Sequence, residues 1–297
     1  MAKQNVEAEG GLHARILGAK IFRNFICIFL CFLSLIPFWI MIVNATRASV
    51  DIQQGLSLIP STHFMENWAK LLYQCSEQVP LWKYMTNSLQ IAAFSTILNV
   101  YFSTMTAYGV TVYKFKGSTF AWSFIMAIMM IPAQVTSIGF FRFMNGLGLG
   151  NNYLPLIIPA IATPATVFFM RQYMQSALPL EIVDAARIDG SREFHTFNTI
   201  AMPLMKPAVA TQCIFAFIAS WNNFYTPNMI LIDPNKGGTT NLRTLPMMLG
   251  ILQSSQKTAD YGMIYTCIAL GIIPIIIAYI CLSKFIIAGV ALGGVKE

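Results

Sequence analysis

Long uncharged apolar runs alternate with short polar segments along the whole chain. Runs of roughly bilayer length occupy residues 25–43, 88–110, 119–141, 153–170, 207–232 and 261–283. A hydrocarbon core about 30 Å thick needs about 20 apolar residues in helical form. The pattern therefore predicts an all-α polytopic membrane protein with six transmembrane helices. The third run is interrupted at Pro132, Ala133 and Gln134, and its outer end is expected beyond the lipid. The fourth is short and holds Pro155, Pro159 and Pro164, which predicts a kinked span buried by its neighbours. The segmentation that follows is an N-terminal segment 1–24, a first helix with its outer loop at 25–87, a core at 88–283 and a tail at 284–297. The polar residues ahead of the first run, and the absence of a small-residue cleavage site after it, do not read as a cleavable leader.

Composition sharpens this picture. Of 297 residues, 56% are hydrophobic and 10% charged, against about 25% charged in a soluble domain. Mean hydropathy is +0.60. The net charge of +7 is spread among the short segments between apolar runs, with no basic stripe interleaved with aromatics, which argues against a nucleic-acid partner. With the amino terminus placed inside, inner segments hold twelve of the nineteen Lys and Arg residues, so both termini are predicted to be cytoplasmic. Five of the six cysteines fall inside apolar runs and only Cys75 lies in a polar loop. No disulfide framework or metal-ligand spacing results. His13, His63 and His195 are isolated, and no Gly-x-x-x-x-Gly-Lys-Ser/Thr loop exists. The chain is expected to have no catalytic residues, to bind no metal or cofactor of its own, and not to hydrolyse ATP.

The segment 178–208, between the fourth and fifth runs, is the least membrane-like stretch of the second half. Pro179 suits the start of a helix, Glu181 sits where the helix dipole favours a carboxylate, and Leu180, Val183 and Arg187 recur at helical spacing. Gly190 stands in the usual C-terminal position of that helix. Ser191 can cap a second helix with Glu193 in its first turn, and Pro203 and Pro207 are expected to stop it before the fifth span. A cytoplasmic helix-turn-helix follows, with Ala185, Ala186 and Gly190 small enough for another protein to approach closely. On periodicity alone, an ordinary amphipathic interfacial loop is the reading to prefer.

DAARIDG followed nine residues later by IAMP resembles the EAA loop of binding-protein-dependent ABC importers. The match falls on Asp184, Ala185, Ala186, Gly190, Ile200 and Pro203, with Asp184 in place of the usual Glu and Met202 in place of the usual Leu. NSLQIAAF at 87–94, LGLGNNY at 147–153, FIASWNNF at 217–224 and the ending IIAGVALGGVKE are similar to segments of carbohydrate permeases of the maltose-transporter type, in particular the smaller six-span partner. This resemblance implies a bacterial inner-membrane permease subunit forming half of a sugar path. Its implied partners are a second homologous permease, two ATP-binding subunits carrying ATP and Mg, and an extracytoplasmic solute-binding protein. It further implies that a helix at about 181–190 seats in an ATPase cleft, with Asp184 and Glu181 facing a basic residue there. By the same resemblance, the tail Gly293, Gly294, Val295 and Lys296 reaches the ATPases; a frayed end is the plain alternative.

Two outer segments, 44–87 and 233–260, are long, and the second carries the apolar stretch TLPMMLGIL. That stretch reads either as a docking surface for the binding protein or as a lid packed on the permease itself. In the fifth run Trp221, Asn222, Asn223 and Tyr225 combine aromatic faces with amides. Sugar contact along a translocation path and interhelical packing are both open for them, as they are for Asn99, Thr104 and Thr106. A non-sugar solute is a further option within the importer reading. A self-sufficient secondary transporter is disfavoured, because none of the six runs contains an Asp or Glu. A membrane anchor without a transport role is the remaining alternative.

Overall fold

A computed structural model describes residues 2–76, 79–113, 115–231, 241–254 and 259–293. All regular structure among them is helical. Chain contacts divide it into two compact units, Met1–Leu71 with Asp260–Ala269, and Leu72–Ala259 with Leu270–Glu297.

The first unit gathers around the end of helix α1 (Ala2–Ala45), together with α2 (Ser49–Gln54), the start of α3 (Phe64–Ser76) and the first turns of α15 (Tyr261–Gly293). The last carbonyls of α1 have no partner within their own helix. Asn67 meets this need at Ala45 O and ties down the turn beyond it: its side-chain amide donates to Ala45 O and to Arg47 O, both at 2.9 Å. The Arg47 guanidinium turns the following chain by donating to Asn44 Oδ1 (3.2 Å), Gly55 O (3.0 Å) and Asp51 O (2.6 Å). Gly262 has to be glycine, because a Cβ there would lie 2.5 Å from Asn67 Oδ1 and 2.7 Å from Arg47 O. Lys70 bridges Glu66 (2.8 Å) and Asp260 (3.0 Å).

The second unit is organised on α4 (Leu81–Val112). Its buried positions recur every three to four residues, and most are small or polar: Ser88, Ala92, Ser95, Asn99, Ser103 and Ala107. Small side chains let α8 (Pro164–Ala177) and α12 (Lys206–Trp221) pack closely on it, and Ser95 Oγ donates to Ser220 Oγ across that contact at 2.9 Å. Against α4 also pack α5 (Ser118–Met129), α7 (Leu154–Ile157) with a 3-10 turn at Ile158–Ala162, and α14 (Leu245–Ser254), while α13 (Tyr225–Ile230) meets α6 (Ala133–Gly146) and α7.

The described residues do not form the six spans expected. Among them, three helical stretches are long and apolar enough to cross a membrane: Leu17–Ala45, Leu154–Ala177 and Tyr261–Ile286. The number rises to five if two sharply bent pairs each count as one span. These are Ser118–Met129 with Gln134–Gly146, bent by 100° at Pro132, and Glu193–Leu204 with Lys206–Trp221, bent by 83°. The predicted second span is the one lost outright. It lies in α4, which is 32 residues long, but its Ser, Thr and Asn residues dilute its hydropathy below that of a span and are turned toward protein. In the fourth run the three prolines act as expected in part, shortening α7 to one turn and forcing the 3-10 turn, yet the stretch stays one span. The fifth run breaks at 222–224 between α12 and α13.

The apolar stretch of segment 233–260 forms α14. Leu245, Met247, Met248 and Leu252 are all buried, the α14 start is held by Leu245 N donating to Ser88 Oγ (2.8 Å), and Met247 packs with Ile230 and Leu231. Its own chain therefore covers the face that had been open to a docking reading. Residues 232–240 and 255–258 of that segment lie outside the described residues.

Candidate coupling site

Helix α9 (Leu180–Ile188) begins directly after Pro179, whose extended backbone starts the turn, and carries Glu181 in its first turn and Arg187 in its last. It ends on a Schellman motif: Gly190 N donates to Arg187 O at 3.1 Å and Ser191 N to Ala186 O at 2.9 Å. That closure requires a left-handed residue, and Gly190 supplies it with φ +78°. The inner face of α9 is Val183 and Ala186, both buried, and Val183 shares one cluster with Tyr108, Val112, Met174, Leu178, Phe197 and Met205. Burial of Val183 alone stabilises the docked helix by about 1.5–3 kcal/mol.

After the turn, α10 (Glu193–Thr196) runs into a π-turn at Phe197–Ala201 and then α11 (Met202–Leu204). Met202 N donates to Phe197 O, five residues back. Pro203 explains the widening, since its ring would collide with the carbonyl four residues earlier in a regular α-helix. The second helix of the loop passes Pro203 by one residue and ends at Leu204, so it does stop before the fifth run. The chain then turns by 83° at Met205 into α12, with Pro207 in the first turn of α12. Ser191 does not cap it, because its hydroxyl is shared with Thr196 Oγ1 at 2.8 Å.

A charged knot ties the loop to the end of α4. Arg187 Nε donates to Glu193 Oε1 (2.8 Å), Arg187 Nη1 to Asp184 Oδ1 (2.9 Å), and Tyr113 OH to Glu193 Oε2 (2.7 Å). The Arg187 guanidinium also lies 5.6 Å over the Tyr113 ring. Hydrogen bonding to Glu193, and then to Asp184, raises the Arg187 pKa further. Burial, followed by the neighbouring Glu193 carboxylate, pushes the Tyr113 phenol up to about 12. Between α4 and α9 a cavity of about 270 Å³ opens, lined by Val112, Tyr113, Leu180, Val183, Asp184 and Arg187.

The expected site residues separate in this geometry. Glu181, Asp184, Ala185 and Gly190 are exposed on the outer face of α9, beside Ile188 at 87% exposure. Ala186 faces inward and is closed to any partner, because the helix needs it for packing. Ile200 is half-buried and Pro203 exposed on the second helix. Asp184 has a partner within its own helix, Arg187. Tyr113 belongs to the knot and no spacing in the sequence announces it, being 80 residues from Glu193. Gly293 ends α15, and Gly294, Val295 and Lys296 lie outside the described residues.

The second predicted cluster also divides. Trp221 is buried, with its indole N–H donating to Gly271 O at 2.9 Å and its ring stacked on Phe217. It is a packing residue. Asn223 Oδ1 accepts from Thr226 N (3.2 Å) and so helps start α13. Asn222 and Tyr225 are exposed at the break between α12 and α13, and Tyr225 OH shares a hydrogen bond with Ser137 Oγ at 3.1 Å. Asn99 accepts from Ser103 Oγ, while Thr104 and Thr106 bond back to their own helix, so all three serve α4 itself. Among the described residues, no group of three or more His, Cys, Asp or Glu side chains is placed to hold a metal ion.

The family model described as "Binding-protein-dependent transport system inner membrane component" matches residues 99–291, about two thirds of the chain. The chain belongs to that family. It is a polytopic membrane permease component of an ABC-type importer, and members of the family are non-catalytic permease subunits. The chain is 35% identical over 271 residues to an arabinooligosaccharides transport system permease protein of Halalkalibacterium halodurans, covering 90% of this chain and 93% of that one. It is 33% identical over 283 residues to a protein of the same description from Bacillus subtilis, covering 93% and 97%. Among solved structures it resembles a chain of a bacterial ABC transporter involved in the import of the acidic polysaccharide alginate, with a TM-score of 0.71 and 21% identity over 91% of this chain and 96% of that one. The structural likeness concerns the fold.

Proposed function

We propose that this permease forms half of the translocation path for a sugar or oligosaccharide delivered by an extracytoplasmic binding protein, and that α9 is where ATPase subunits drive it. The companion half is a second homologous permease, and ATP and Mg belong to the ATPase pair. The observation that carries the coupling assignment is the exposed outer face of α9, with Glu181, Ala185 and Ile188 available beside a glycine-closed end, on a helix whose inner face is locked into the core. A rigid helix of that kind transmits a push instead of absorbing it. The sugar assignment rests on the two arabinooligosaccharide permeases, each matched over nearly its whole length. In this reading the EAA segment spans 178–208 within a permease core at 88–283, both termini are cytoplasmic, and the tail from Gly293 onward reaches the ATPases.

Of the predicted path residues, Asn222 and Tyr225 are the pair in a position to meet solute, at the break between α12 and α13. Uptake of labelled arabinooligosaccharides by cells expressing the full transporter tests the reading. Uptake should vanish on deletion of this chain and should be competed by unlabelled pentose oligomers. Uptake that survives deletion, or competition only by a non-sugar solute, would overturn the assignment at its respective level.

A further inference from the structure

The turn after α2 has its polar groups and its apolar side chains arranged in opposite directions. Gly55 O accepts from Arg47 Nη1 (3.0 Å), Ile59 N donates to Ser57 Oγ (3.1 Å), and Leu58 O accepts from the Trp39 indole N–H (3.0 Å). Ser57 Oγ in turn donates to Ile59 O at 3.3 Å. Three apolar side chains of this turn face away from the protein, Leu56 at 73%, Leu58 at 55% and Ile59 at 77% exposure. No Asp, Glu, Lys or Arg occurs between Asp51 and Glu66. A loop in water has no reason to satisfy its backbone internally while exposing leucine and isoleucine. A loop at a lipid boundary has both reasons.

The Trp39 bond fixes the depth. Trp39 belongs to the apolar span Leu17–Ala45, most of whose surface is uncovered by protein, and its own ring is exposed on that surface. It precedes Val43, where the apolar run ends, by four residues, or about 6 Å of helical rise. The Leu58 carbonyl is thus held inside the end of the run, on the lipid-facing side of the helix. Tryptophan at this level is the residue type that favours the membrane–water boundary. We propose that residues 55–60 form an interfacial anchor, with Leu56, Leu58 and Ile59 seated among the lipid chains of the leaflet at the Val43 end of the span. The surface continues the lipid contact of α1 and commits to lipid, not to a protein partner.

Photocrosslinking in the full transporter in native membranes tests this. p-Benzoylphenylalanine replaces Ile59, or for comparison the exposed Gln53 of α2, and adducts on the labelled peptide are identified by mass. The phospholipid adduct at 59 should exceed that at 53 several-fold, and Trp39→Phe should lower it toward the level at 53. Equal lipid capture at both positions would overturn the anchor, as would a dominant adduct to any protein, including a second permease. Lipid capture unaffected by Trp39→Phe would overturn the depth argument on which it rests.

Discussion

Gly190 offers a test in which backbone strain and surface occlusion can be told apart. A Cβ added there meets no heavy atom within 4 Å, so an alanine costs nothing in space. It costs only the left-handed conformation, φ +78°, which for an L residue amounts to about 1–2 kcal/mol. If ATPase docking requires α9 closed by its Schellman motif, that energy reappears as a weaker complex, about 5- to 30-fold in Kd. Asparagine tolerates the left-handed region better, so Gly190→Asn should lose clearly less than Gly190→Ala. Gly190→Arg adds a long side chain into the open space on the docking face, and should block association while leaving membrane insertion intact. Titrating the purified permease pair with ATPase subunits in detergent gives the three affinities directly. Equal affinity for the glycine and alanine forms would refute the strain argument, and normal assembly and uptake with arginine would refute the location of the docking surface.

Three further tests probe separate parts of the fold. Trp221→Phe removes the indole donor to Gly271 O and should destabilise the purified protein by about 0.5–1.5 kcal/mol in a detergent melt; lost solute affinity at unchanged stability would return Trp221 to the substrate path. Glu193→Gln and Tyr113→Phe, combined in a double-mutant cycle, should each cost under about 1 kcal/mol given the half-exposed carboxylate, with a measurable coupling between them; strict additivity would dissolve the knot. Gly250→Ala sets a Cβ 2.7 Å from Phe224 Cε2, the far end of an exposed ring that can swing aside, and should lower stability by under about 1 kcal/mol, below the usual overpacking cost; a larger loss that Phe224→Leu fails to restore would show that this contact is not the cause.

The loop and the span count show why some of the structure was legible in sequence and some was not. Helix α9 could be read because each of its signals is local: Pro179 before it, Glu181 in its first turn, and Gly190 beyond its end. Its register, which turns Ala186 inward and Ala185 outward, depends on what it packs against, and pattern alone does not give that. Pro203 marks the end of the second helix to within one residue, but the widened turn that accommodates its ring has no signal in the sequence. Helix α4 misled for the opposite reason. Its uncharged composition resembles a span, whereas Ser88, Ser95, Asn99 and Ser103 mark a stripe buried against α8, α12 and α14. Trp221 and Asn223 were conspicuous as residue types, and the structure uses both for helix geometry. Tyr113 and Glu193 meet across 80 residues of chain, a pairing no window can see.

The clamp at the end of α1 has a mechanical consequence. Side chains 17–35 are exposed, and enclosure starts only near Val43, where the Asn67 amide grips the last carbonyls. The stretch of α1 from Leu17 to Val43 is thus a cantilever about 40 Å long, rooted at its Val43 end. Its tilt is set by the bilayer and by whatever neighbour leans on it, and a change at Asn67 or Gly262 would be felt most at the opposite, distant tip.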